Sequence, residues 1–154
     1  MTIYQKMILF FAMGFYSGKL PHAPGTFGTL AGIPFALILK ILPVPWHLVY
    51  GVGFVLGAVF LADKAAGILN EKDPGCIVID EMAGYMLAFS LVPVQASTLV
   101  AGFFVFRFFD IVKPGPVRYF ERQFSGGAGI VLDDVMAGVL TAVVLKIIYL
   151  AGLF

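Results

Sequence analysis

The chain has 154 residues, 60% of them hydrophobic and 12% charged, with mean hydropathy +0.98 and a formal net charge of +1. Soluble domains carry about 25% charged residues, so a water-soluble globule is excluded and an integral membrane protein is expected. The small net charge gives a nucleic-acid partner no electrostatic support. The lone Cys76 excludes a disulfide framework or thiolate metal cluster, and His22 and His47 show no zinc-ligand spacing. The length fits a single domain, residues 1–154.

In chain order, Lys6 precedes an apolar run from Met7 to Phe15. The run has the outline of a cleavable leader, with Ser17-Gly18 near a cleavage point. It is too short to span, since a crossing helix needs about 20 residues, and it reads as an interfacial or half-inserted helix. Next comes His22-Ala-Pro-Gly-Thr-Phe-Gly-Thr29, just ahead of an apolar helix. Two glycines, two hydroxyls and a helix N-terminus suit an anion, because free N–H groups and the helix dipole favour negative charge. They also suit a Pro-Gly turn with a threonine cap. His22, Gly25, Thr26, Gly28 and Thr29 are the candidate substrate-binding residues of this segment. It is not a Walker A loop, because no Gly-Lys-Ser/Thr follows.

Five apolar spans are expected: Gly28 to Leu42, His47 to about Leu61 with a possible extension to Leu69, Ile77 to Val92, Val94 to Phe109, and Val135 to Phe154. Several are short, which implies tilt or burial within the bundle. The fold class is therefore an all-α polytopic bundle with an N-terminal interfacial helix. Asp73-Pro74 reads as a helix start, with Asp as N-cap and Pro at the first helical position.

Apart from Lys40 and Lys146, which can snorkel, charge is confined to alternate connections. The Pro43–Trp46 and Pro93–Ser97 loops carry none, whereas the segments before the first span, between spans two and three, and between spans four and five are charged. Five crossings put those three on one face. The Lys and Arg excess there makes that face cytoplasmic by the positive-inside rule.

Acids inside such sequence are costly and mark a functional site. Three open the same word: Asp63-Lys-Ala-Ala-Gly67, Asp80-Glu-Met-Ala-Gly84 and Asp134-Val-Met-Ala-Gly138. On a helix, Asp and the Gly four residues later share a face, where small residues admit another backbone or a ligand. Adjacent helical residues point about 100° apart, so one acid of each pair, Asp80-Glu81 and Asp133-Asp134, faces the bundle. Asp80 and Asp134 carry the repeat and are assigned inward. Glu81 and Asp133 are either further ligands or first-turn acids that stay wet. Oxygen ligands without Cys or His favour a hard cation such as Mg²⁺. The metal candidates are Asp63, Asp73, Asp80, Glu81, Asp133 and Asp134.

Arg107, Asp110 and Lys113 form a helical stripe at the end of span four, and Lys113-Pro114 closes that helix. Arg107 and Lys113 suit a phosphate, with Asp110 orienting Arg107 or joining the metal shell. Catalytic candidates are thus Asp80, Glu81, Asp134, Arg107, Asp110 and Lys113. Ser125-Gly-Gly-Ala-Gly129 leads into the last acids, as a phosphate-approaching loop or a hinge. Metal acids and phosphate-binding cations on one face of a lipid-embedded bundle describe phosphate chemistry on a lipid head group. The rival from another class is a small cation or proton transporter using intramembrane carboxylates.

In Ala23-Pro-Gly-Thr-Phe-Gly-Thr29, Asp73-Pro74 with Ile77-Val-Ile-Asp-Glu-Met-Ala-Gly84, Phe106-Arg107 with Phe109-Asp110 and Lys113-Pro114, and Gly127 to Gly138, the chain resembles the phosphatidylglycerophosphatase A family. The resemblance implies a Mg²⁺-dependent lipid phosphatase of phospholipid biosynthesis. It would hydrolyse the terminal phosphomonoester of phosphatidylglycerophosphate to phosphatidylglycerol and phosphate at the cytoplasmic face of the bacterial inner membrane. Thr29 stands where that family is expected to carry Ser, and keeps the hydroxyl.

Overall fold

Within hydrocarbon no water is present to bond an open backbone, so a chain this apolar closes its hydrogen bonds inside helices. The computed structural model describes residues 1–154 and is all-helical. The elements are α1 (Ile3–Ala12), a 3₁₀ turn (Ser17–Lys19), α2 (Pro24–Ala31), α3 (Ile33–Ile41), α4 (Val44–Leu69), α5 (Ile79–Leu87), α6 (Ala96–Val112), α7 (Gly115–Gln123) and α8 (Gly126–Leu150).

The helices wear their apolar residues outward. On α4, Leu48, Val52, Leu56 and Phe60 are exposed at every fourth position. On α6, Val100, Phe104, Phe108 and Ile111 form the same stripe, and on α8 Val139, Val143, Ile147 and Leu150 do. Such stripes would be a liability in water and are the natural contact surface for acyl chains. Three segments are long and apolar enough to cross a membrane: Pro24–Ile41, which is α2 and α3 broken at Gly32-Ile33-Pro34, α4 and α8.

That differs from the five helical spans expected. The segment Ile77 to Val92 is not one helix: α5 has nine residues, a rise of about 13 Å. Turns and bends carry the chain from Ala88 to α6. In this segment Ala88, Phe89, Val92 and Val94 are buried, whereas Ser90, Leu91, Pro93 and Gln95 are exposed. The fourth expected span is α6, 17 residues long.

Three further boundaries differ. No helix begins at Asp73-Pro74. There the Ile77 N–H donates to the Pro74 carbonyl, and α5 starts at Ile79 behind Val78. Tertiary bonding overrides the local signal, because the Val78 N–H donates to Ala12 O at 3.0 Å. The segment after Lys113-Pro114 is not merely a charged connection but the amphipathic α7, with Val117 buried and Arg118, Tyr119 and Arg122 exposed. The final helix begins at Gly126, well before the expected Val135. Asp133 and Asp134 therefore lie two turns inside α8, not at its end.

α5 occupies the centre. On one side Met82 and Ala83 pack with Ala58, Ala62, Ile130 and Val131. On the other, Tyr85, Met86 and Phe89 pack with Ala36, Phe106 and Ala137. The crossing of α5 with α8 is backbone on backbone. A Cβ on Gly84 would lie 2.3 Å from Asp134 O, and one on Gly138 would lie 2.2 Å from Gly84 O. Small residues at such crossings allow this approach. It brings two copies of the Asp-x-x-Ala-Gly word face to face.

Candidate active site

The start of α2, the start of α5, the end of α6, α7 and the first two turns of α8 surround one polar cavity of about 1040 Å³. Their sequence positions explain why its walls are charged. A short helix that begins inside the protein, as α5 does, can place acids in its first turn, where the helix dipole favours them. Asp80 and Glu81 occupy that turn. The Gly84–Gly138 crossing then draws Asp134 alongside. One carboxylate oxygen from each of Asp80, Glu81 and Asp134 lies within 4.8 Å of the others.

The spacing argument that one acid of each adjacent pair faces the bundle is corrected here, since both do. Glu81 joins Asp80 in the cluster, and Asp133 is as enclosed as Asp134. Both pairs have protein or cavity on two sides. Asp133 turns away from the cluster and accepts a hydrogen bond from Lys113 Nζ at 2.7 Å, while the same ammonium donates to Glu121 at 2.8 Å. Lys113 thereby joins α6, α7 and α8. Burial works against its charge, but the hydrogen bonds to Asp133 and Glu121 outweigh burial and raise its pKa above the usual lysine range.

Arg107 donates to Asp110 one turn on, and its Nη1 lies 4.0 Å from Glu81 Oε1. Gly25 seals the arrangement from α2: a Cβ there would be 2.5 Å from Glu81 Oε1 and 2.8 Å from Arg107 Nη1. A larger residue there would push the Glu81 and Arg107 side-chain ends aside. The Thr26 N–H donates to Ala23 O at 3.1 Å, which leaves the Gly25 N–H as the open first-turn donor beside Arg107. The segment expected to lie ahead of the helix is thus the helix's own first turn.

The donor set fits a divalent cation. Asp80 Oδ1 and Glu81 Oε2 are buried without a hydrogen-bond partner, and unpartnered buried acceptors are rare. Three carboxylates this close repel unless a proton or a cation intervenes. Asp80, Glu81 and Asp134 are the residues that would hold it.

Of the other expected site residues, His22, Gly25, Thr26, Asp73, Asp110, Lys113 and Asp133 also line the cavity. Asp63, Gly28 and Thr29 do not. Asp63 accepts from the Gly127 N–H at 3.2 Å and so caps α8. Thr29 is fully buried and donates to Gly25 O at 2.7 Å, the back-bond to the preceding turn that a helical threonine makes. Gly28 packs against Val78. Three charged lining residues were not anticipated: Lys72, Glu121 and Arg122. For Glu121 and Arg122 a signal existed in the Val117–Phe120 apolar spacing that marks α7. Lys72 carried none.

A family model described as phosphatidylglycerophosphatase A matches residues 10–149. Phosphatidylglycerophosphatase A of Escherichia coli strain K12 is 40% identical over 141 residues, covering 89% of this chain and 80% of that protein. The protein of the same name from Haemophilus influenzae is 39% identical over 136 residues, covering 86% and 83%. A third relative, from Bacteroides thetaiotaomicron, carries a provisional name, phosphatidylinositol-3-phosphatase; it is 37% identical over 142 residues, covering 87% and 88%. No solved structure matches the chain.

Proposed function

The chain belongs to the phosphatidylglycerophosphatase A family, and on that premise we propose that it is a Mg²⁺-dependent phosphatase acting on phosphatidylglycerophosphate. It removes the terminal phosphomonoester at the cytoplasmic face of the inner membrane, leaving phosphatidylglycerol and phosphate. The observation that carries this reading is the carboxylate cluster of Asp80, Glu81 and Asp134 beside Arg107 in one cavity.

When bound there, Mg²⁺ supplies Lewis-acid polarisation of the phosphoryl group and a lower pKa for attacking water. The chain's own groups do the rest. Arg107, held in orientation by Asp110, meets the charge on the non-bridging oxygens with a planar pair of donors. The Gly25 N–H, at the positive end of α2, supports the same charge. Lys113 has two of its three N–H groups engaged, which leaves one for a phosphate oxygen. Glu81 or Asp134 accepts the proton of the attacking water. Lys72 and Arg122 add positive charge where the cavity is most exposed and favour the approach of an anionic head group.

The transporter reading is not favoured. Asp80, Glu81, Asp110, Asp133 and Asp134 line one cavity, and no Asp, Glu, Lys or Arg lines either of the two apolar grooves around Leu30 and Leu48.

The test is phosphate release by purified protein from phosphatidylglycerophosphate, with Mg²⁺ and with EDTA, against phosphatidylinositol 3-phosphate as a second substrate. Release from phosphatidylglycerophosphate that stops with EDTA and returns with Mg²⁺ is expected. Preference for the inositol lipid would overturn the head-group assignment. EDTA-resistant turnover would overturn the metal.

A further inference from the structure

A lipid phosphatase has to admit a head group while its acyl chains stay in the bilayer. Two apolar grooves mark the outside of the bundle. One, of about 290 Å³, lies between α2–α3 and α6 and is lined by Leu30, Ile33, Tyr85, Leu99, Phe103 and their neighbours. The other, of about 500 Å³, lies between α4 and the α5–α8 pair, around Leu48, Val52, Leu56 and Leu87.

Their relation to the polar cavity differs. The second groove is walled off from it. There α4 packs on α5 and α8 through one cluster of buried side chains that includes Ala58, Ala62, Met82, Ala83, Ile130 and Val131. α8 is pressed onto α4 so closely that a Cβ on Gly127 would lie 2.1 Å from Val59 O. The first groove instead continues the cavity. Thr26 on α2 and Arg107 on α6 line the cavity; Leu30 and Phe103, each four residues away on the same helix, line the groove. Four residues are about 6 Å of helix rise and bring a side chain back to nearly the same face. The groove therefore runs along the helices from directly beneath Arg107 and Gly25 toward the middle of the bundle. All its lining residues are apolar in character. The one buried hydroxyl on its wall, of Tyr85, is satisfied by Leu99 O at 2.9 Å. Val100 and Phe104 belong at once to the groove and to the exposed stripe of α6, so the groove opens sideways to lipid.

We propose that the α2–α6 groove is the acyl-chain subsite and the lateral route by which the lipid substrate reaches the Arg107 cavity. The inference rests on the phosphatase reading above and adds the path of the tail. Its occupant is an acyl chain of the substrate itself, because the groove is continuous with the site where the substrate's phosphate would sit.

The experiment pairs two readouts. In the first, trace phosphatidylglycerophosphate with a photoactivatable acyl chain is cross-linked to the wild-type protein in phosphatidylcholine vesicles, and the labelled residues are mapped. Labelling should concentrate on Leu30, Val100, Phe103 and Phe104, and be suppressed by excess unlabelled substrate but not by excess phosphatidylcholine. Specific labelling around Leu48 and Leu56, or labelling that unlabelled substrate does not suppress, would overturn the proposal. In the second, Leu30→Trp and Val100→Trp fill the groove, and Leu56→Trp fills the other one. The first two should raise KM for the diacyl substrate about tenfold or more with kcat nearly kept, and Leu56→Trp should leave both unchanged. Unaltered KM in Leu30→Trp and Val100→Trp would refute the groove while leaving the phosphatase intact. Absence of phosphate release from wild type would refute the phosphatase reading instead, and the cross-link map would still decide whether the groove binds the lipid.

Discussion

Two copies of one five-residue word meet, and the third is left out. In the copies beginning at Asp80 and Asp134, the glycine four residues on lies against the backbone of the other copy. In the copy beginning at Asp63, a Cβ on Gly67 would meet no other helix within 4 Å, and the aspartate caps α8 through the Gly127 N–H. The same residues thus build a carboxylate cluster in one place and a helix cap in another. The partner that the glycine admits decides which. An aspartate two turns inside a membrane helix joins a carboxylate cluster when a second helix is close enough to bring another acid beside it.

Substitutions can break that comparison. The largest effect is expected from Asp80→Asn and Asp134→Asn, which should each lower Mg²⁺-dependent phosphate release on the order of 10²-fold or more while the protein still inserts and folds. Next come Gly84→Ala and Gly138→Ala. Each drives a methyl into backbone at an inter-helix crossing, at a cost of about 1–3 kcal/mol. Melting temperature and activity should fall together, because the two acids are pushed apart. Lys113→Met leaves Asp133 buried without its partner. A loss on the order of 2 kcal/mol is expected, below the ~3–5 kcal/mol of a fully enclosed pair, since Lys113 keeps some contact with solvent. The sign follows from the raised Lys113 pKa: the bridge is fully present below the ordinary lysine range and is lost as pH rises through the elevated value. Neutral pH should therefore leave it untouched.

The left-out copy should behave oppositely. Asp63→Ala removes a cap and should cost about 1 kcal/mol in thermal denaturation with phosphate release retained. Gly67→Ala, on an exposed helix face with open space, should change stability least, by up to about 1 kcal/mol in the favourable direction.

Much of this was legible in the sequence. Hydropathy gave the membrane class, and the Asp-x-x-Ala-Gly repeat pointed to Asp80 and Asp134. The helix-ending Lys113-Pro114 and the Arg107–Asp110 pair hold in the structure. What failed did so because packing outranks local signals. Apolar runs do not report where a helix stops inside a bundle, so α5 was read too long. Asp73-Pro74 carries a sound cap pattern, yet Pro74 O closes a turn with the Ile77 N–H and the next residue, Val78, is tied to α1 by backbone bonding. The 100° rule for adjacent residues presumes one buried side per helix, and α5 and α8 are enclosed on more than one. α7 went unseen because its charge count masked a short apolar face.

Divalent-ion binding, read apart from catalysis, tests the account most directly. Titration of Mn²⁺ as a Mg²⁺ surrogate into the purified protein, followed by electron paramagnetic resonance, should show a site that is kept in Asp63→Asn and lost in both Asp80→Asn and Asp134→Asn. Undiminished binding in the latter two variants, or loss of binding in Asp63→Asn, would contradict the account.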